Sequence, residues 1–120
     1  MRRPALVAAA LCIALVAGVT VALAKANPLV GTVGPSFTIS LKSPAGKRVK
    51  TLTAGRYSIT VSDKSSSHDF HLIAPGVNKK ITKVGFVGKK TVVLRLPPGK
   101  YRYQCDPHKD FMHGSFTVTK

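Results

Sequence analysis

Cys105, His108 and Met112 fall within eight residues of one another, in the run Tyr101-Arg-Tyr-Gln-Cys105-Asp-Pro-His108-Lys-Asp-Phe-Met112-His113-Gly114. A thiolate, an imidazole and a thioether are all soft or borderline donors, a set suited to copper. Zinc also takes Cys and His, but its structural sites generally use several cysteines or a fuller His/Cys set, and one Cys with one Met favours copper. A trigonal His2Cys copper site with a long axial Met needs one more imidazole. Ser67-His68-Asp69-Phe70-His71-Leu72 offers two candidates. Because successive strand residues point to opposite faces, a strand that buries Phe70 and Leu72 also turns His68 inward and His71 outward. His68 is therefore the preferred ligand and His71 the alternative. Taken singly, each of these residues has an ordinary structural reading: a buried Cys, a Met filling the core, a His closing a loop. Their joint order and spacing is what singles them out.

The pattern Leu96-x-Pro98-Gly99-x-Tyr101-x-Tyr103-x-Cys105-x-Pro107-His108-x-x-x-Met112-x-Gly114 resembles the ligand loop of the plastocyanin, amicyanin and pseudoazurin family of blue-copper proteins, the cupredoxins. The segment around His68 is similar to that family's first-ligand strand, and the likeness runs from about Ser58 to Thr119. It implies an all-β, Greek-key sandwich or barrel of about seven to eight short strands. It also implies one type 1 copper held by His68, Cys105, His108 and Met112, and one-electron transfer through the solvent-facing edge of His108. Pro107, Phe111 and Met112 are then expected to form an apolar patch around that edge, with Lys109 and other lysines at its rim. The sequence departs from the family twice. Asp69 stands where the family has asparagine, and a carboxylate only accepts hydrogen bonds where an amide also donates. Three residues separate His108 from Met112, a spacing that matches neither plastocyanin nor amicyanin.

The elements that must position these residues read as strands. Apolar and polar residues alternate at Phe37-Ile39-Leu41, Tyr57-Ile59-Val61, Phe70-Leu72, Val92-Leu94-Leu96, Tyr101-Tyr103-Cys105 and Phe116-Val118, the period of half-buried strands. Between them lie turn formers such as Ser43-Pro44-Ala45-Gly46, Ala74-Pro75-Gly76 and Pro97-Pro98-Gly99. No helical stripe follows residue 24, and short strands at this spacing imply antiparallel sheets in a sandwich or barrel.

At 120 residues the chain holds one domain. Residues 1–24 open with Arg2 and Arg3, continue without charge from Pro4 to Ala24, and close on Ala22-Leu23-Ala24. That is the pattern of a cleaved signal peptide, and the run is also long enough for an uncleaved membrane anchor. Residues 25–34, with Pro28, Gly31 and Gly34, read as a linker or a loosely held first strand, and 35–120 as the copper-binding domain. Export to the periplasm or the outer face of the cell membrane follows. With Cys12 in the leading segment, Cys105 is the lone thiol of the domain, so no internal disulfide forms there.

Without residues 1–24 the chain carries 17 Lys and Arg against four Asp and no Glu, a net charge of +13. Such a surface favours anionic partners, namely an acidic redox protein or an anionic membrane surface. Nucleic acid is not expected, since the lysines are scattered rather than gathered on a recognition helix. A single short domain lacks the further copper centres that a copper oxidase or nitrite reductase needs, so an electron carrier is expected rather than an enzyme. It is expected to act as a monomer. The competing reading is an envelope copper carrier or buffer that uses His71 and His113 as transfer ligands.

Overall fold

The computed structural model describes Gly18 and residues 25–120. The expected signal peptide or anchor, residues 1–24, lies outside the described residues apart from Gly18. Nine strands follow: β1 (Asn27–Val33), β2 (Ile39–Lys42), β3 (Thr51–Thr53), β4 (Gly55–Asp63), β5 (Phe70–Ala74), β6 (Val77–Thr82), β7 (Gly88–Leu96), β8 (Gly99–Gln104) and β9 (His113–Thr119). They form two sheets, ordered β2-β1-β4-β7 and β3-β9-β8-β5-β6. The segment read as a linker or first strand is a strand from Asn27 on, and the boundary expected at Pro35 falls after it. β1 pairs antiparallel with β2 and parallel with β4.

The sheets are not purely antiparallel as the alternation implied. β1 runs parallel to β4, and β3 runs parallel to β9. Alternation fixes which face a residue occupies but carries no information on the direction of its neighbour. A parallel pair needs a crossover connection rather than a tight turn, and other strands do intervene between β1 and β4 and between β3 and β9.

The core lies between the sheets. Val33, Leu41, Ile59, Val61 and Leu96 meet Phe70, Leu72, Ile81, Tyr101, Tyr103, Phe116 and Val118, all of them buried. Phe70 stacks on Tyr103 with centroids 5.5 Å apart, and Tyr101 stacks on Phe116 at 5.0 Å. Two core tyrosines satisfy their one polar atom locally: Tyr57 Oη donates to Thr53 O and Tyr101 Oη to Pro97 O, each at 2.6 Å.

Strand direction gathers four connections at one end of the sandwich. These are 34–38 (β1 to β2), 64–69 (β4 to β5), 83–87 (β6 to β7) and 105–112 (β8 to β9). Gly85 N donates to Ser66 O at 2.8 Å, which joins two of the four, and Lys64 N donates to Val33 O at 2.9 Å, which ties one of these to the end of β1. His68, Cys105, His108 and Met112 lie on two of these loops.

Candidate metal centre

The loop after β8 closes on itself. Asp106–His108 forms one 3₁₀ turn with Pro107 in its first turn, where a missing N–H costs nothing. His108 N donates to Cys105 O at 3.0 Å and Met112 N to His108 O at 2.8 Å. Cys105 N in turn donates to Met112 O at 3.0 Å, so the ends of the loop are joined. Cys105 is fully buried and Met112 is 1% exposed. Met112 is therefore beneath the surface and does not contribute to an apolar patch there.

His68 lies just before β5 rather than on it, yet it is buried, with Phe70 and Leu72, as strand parity requires. Its Nδ1 lies 3.6 Å from Cys105 Sγ, and Nδ1 of His108 lies 3.5 Å from the same sulfur. The three donor atoms fall within 4.8 Å of one another. Nitrogen and sulfur bind zinc, a first-row ion of comparable size, at about 2.0 and 2.3 Å, so donors placed 120° apart around one ion stand about 3.7 Å from each other. The observed N–S separations are close to that edge length, and the donor set fits a single metal ion.

The supporting contacts fix the donors. His68 Nε2 donates to Ser36 O at 3.1 Å, which carries the ring proton on Nε2 and leaves the Nδ1 lone pair facing the sulfur. Asp69 Oδ1 accepts the Asp106 N–H at 2.6 Å. This bond ties the His68 segment to the Cys105 loop, and it needs only an acceptor, so a carboxylate serves where an amide would. The amide's donor capacity is what Asp69 gives up. Burial pushes the Asp69 carboxyl above its ordinary value, with the Asp106 charge adding to the rise against the lowering effect of that backbone bond. Burial likewise pushes the Cys105 thiol up, and the Asp69 charge adds to it. Without a metal the thiol keeps its proton at neutral pH, and a metal must displace it.

His71 has the opposite parity and a different task. Its Nδ1 faces Asp106 Oδ1 at 2.8 Å, and its Nε2 faces Asn78 Oδ1. Asp106 also accepts from Gln104 Nε2 at 2.8 Å and pairs with Lys80 Nζ at 3.4 Å. Burial alone would raise the Asp106 carboxyl, but the bonds from Gln104, His71 and Lys80 outweigh it and bring it down to about 2. His113 is exposed at the head of β9, and neither it nor His71 belongs to the donor cluster.

The structure brings one residue to the site that alternation assigns elsewhere. Phe37 shares parity with Ile39 and Leu41, but β2 starts only at Ile39, and Phe37 stands in the preceding bend with 62% of its surface exposed. Its ring packs edge-on against His68 (5.6 Å), His108 (5.1 Å) and Phe111 (5.6 Å). Gly34 makes this possible: its φ of +74° suits glycine, and a Cβ there would meet His68 Cδ2 at 3.2 Å. The Gly34-Pro35 pair is the sequence signal that β-alternation is interrupted before Phe37.

No protein-family model matches the chain, and no curated protein matches it by sequence. Solved structures do. Reduced rusticyanin at 1.9 Å is 21% identical, with 82% of each chain covered and a TM-score of 0.58. A structure described as the copper protein rusticyanin is 19% identical, covering 77% of this chain and 76% of that one, TM-score 0.56. Rusticyanin from Thiobacillus ferrooxidans is 22% identical over the same shares, TM-score 0.53. The chain has the cupredoxin fold. At these identities the likeness carries the architecture. The cupredoxin sandwich accounts for why four loops meet at one end.

Proposed function

We propose that this cupredoxin domain is a single-copper electron carrier of the cell envelope, in which His68, Cys105, His108 and Met112 would hold the ion. The observation that carries the reading is the buried Cys105 sulfur with two imidazole Nδ1 atoms 3.5 and 3.6 Å away. Bound copper would supply a Cu(II)/Cu(I) couple.

The chain's own part is to hold the donors still. Ser36 O fixes the tautomer and orientation of His68, the Asp69 to Asp106 bond fixes the loops relative to each other, and Cys105 N to Met112 O closes the ligand loop. Donors locked before the electron arrives need little movement when it does, which favours fast exchange. Phe37 and Phe111 stand over the imidazoles, 62% and 61% exposed, and the nearby β6–β7 turn presents Val84 and Val87. Lys83 and Lys109 are exposed beside them. An apolar face rimmed by cations suits an acidic redox partner, steered to the site by charge. No enzymatic step is proposed. Export rests on the character of residues 1–24, and a monomer is the proposed unit.

The test is voltammetry of the copper-loaded chain. A reversible one-electron wave, with rapid self-exchange seen by NMR line broadening, is expected. An irreversible wave, or copper lost on reduction, would contradict a carrier role and favour copper delivery.

A further inference from the structure

A second concave site lies on the outer flank of the five-stranded sheet, away from the metal-bearing loops. It is a groove open to solvent, of about 420 Å³, lined by Arg48, Lys50, Lys100, Ser115 and Thr117, together with Tyr101 and Phe116. The backbone explains the convergence. Lys100 on β8 lies opposite Thr117 on β9, and Thr117 N donates to Lys50 O at 3.0 Å. Arg48 is brought alongside by its bridge to Lys42. Lys100, Ser115 and Thr117 occupy the outward positions of their strands, and Arg48 and Lys50 are likewise exposed.

The charge at this place is uncompensated. All four aspartates lie at the metal end: Asp63 at the end of β4, Asp69 beside His68, and Asp106 and Asp110 in the ligand loop. Among the described residues the ion pairs run to Asp106 alone, so Arg48, Lys50 and Lys100 have none. Five residues of extended chain, roughly 16 Å, separate Lys100 from Cys105. The groove thus belongs neither to the copper centre nor to the apolar face above it.

From this we infer that the groove is a binding site for phosphate-bearing anions that present more than one phosphoryl group. An Arg, two Lys and two hydroxyls offer more donors than the two oxygens of one carboxylate can use, and enough for the several oxygens of phosphoryl groups. The volume leaves room for more than one oxyanion, so an extended ligand fits. A chain of soluble phosphates and the headgroups of an acidic lipid share this chemistry. Either would engage the flank while leaving the metal end free for a redox partner.

The experiment uses the full chain, held in zwitterionic detergent micelles, with amide NMR shifts as the readout. Tripolyphosphate and orthophosphate are titrated at constant ionic strength. Saturable shifts at Lys50, Ser115 and Thr117 are expected, with tripolyphosphate binding at least about tenfold more tightly than orthophosphate. The double variant Arg48→Gln/Lys100→Gln should weaken tripolyphosphate binding at least about tenfold, while Lys89→Gln/Lys90→Gln, with the same loss of charge, changes it less than about twofold. Equal weakening by both pairs, or shifts spread evenly over the cationic surface, would overturn the site and leave only net charge. Nanodiscs separate the sources. The same amides shifting in phosphatidylglycerol discs and not in phosphatidylcholine discs supports the site with a lipid headgroup as ligand. Shifts with tripolyphosphate alone support it with a soluble anion as ligand, and shifts with neither overturn it.

Discussion

Gly114→Ala is expected to be among the most damaging single-methyl changes in this domain, because the position is filled from the opposite strand. Gly114 on β9 lies opposite Tyr103 on β8, and a Cβ there would overlap Cζ and Oη of the Tyr103 ring and come within 2.6 Å of Cε2. The ring cannot turn aside freely: it is 1% exposed, stacked on Phe70 at 5.5 Å and tilted against Phe116 at 6.3 Å. Overpacking a tight core costs about 1–3 kcal/mol, and losing a buried aromatic altogether costs about 3–5 kcal/mol. Displacement of a ring held on two sides falls between them, at about 2–4 kcal/mol. In a domain this small that lowers Tm by roughly 10–25 °C. Thermal unfolding of the metal-free protein, followed by far-ultraviolet circular dichroism, measures it. The cause is isolated by a cycle with Tyr103→Leu, which vacates the space. The double variant should be more stable than the summed single effects require, by about 1–2 kcal/mol. A Tm within a few degrees of native, or strict additivity in the cycle, would refute the steric account.

The two carboxyls beside the ligand loop should act in opposite senses on the acid side. Asp106 is held at about 2, below the ordinary 3.8, so its stabilisation is complete above about pH 4 and is lost as pH falls through about 2. With screening of a partly exposed group, it is on the order of 1–2 kcal/mol. Asp69 is raised, so its carboxylate costs stability at neutral pH and the cost disappears below its unfolded value. Asp69→Asn keeps an acceptor for the Asp106 N–H and should raise the denaturation midpoint of the metal-free protein at pH 7 but not at pH 3; an equal gain at both would contradict the assignment. His68→Gln should destroy the copper site, while His71→Gln should leave its spectrum nearly intact and shift only the acid behaviour of Asp106. The reverse would make His71 the ligand. Lys109→Glu should slow oxidation by an anionic acceptor several-fold at low salt, an effect fading as the Debye length shrinks; a salt-independent rate would remove steering from the account.

The sequence carried the strand periods, the end of the chain where the ligands lie and the inward direction of His68, because burial on one face imposes period two whatever the topology. Gly114 was visible as the last residue of a motif, and its physical reason, the Tyr103 ring across the sheet, was not, because the register between β8 and β9 is a three-dimensional fact. Parallel pairing of β1 with β4 and of β3 with β9 was hidden for the same reason. Parity alone makes Phe37 strand and core, since alternation carries on across a bend unless Gly34-Pro35 interrupts it. Ser36 left no signal at all: it acts through its carbonyl, which every residue possesses. The same holds for Asn78 and Gln104, polar residues whose role depends on where Asp106 comes to rest.

In the proposed site Cys105, with His68 and His108, binds copper through its sulfur. Adding one equivalent of Cu(II) to the metal-free chain and recording the optical spectrum tests it directly. An intense visible thiolate-to-copper band, with the release of a proton from a thiol that burial keeps protonated, is the expected result, and Cys105→Ser should abolish the band. A colourless protein that holds Cu(II) tightly, or a band that survives Cys105→Ser, would contradict it.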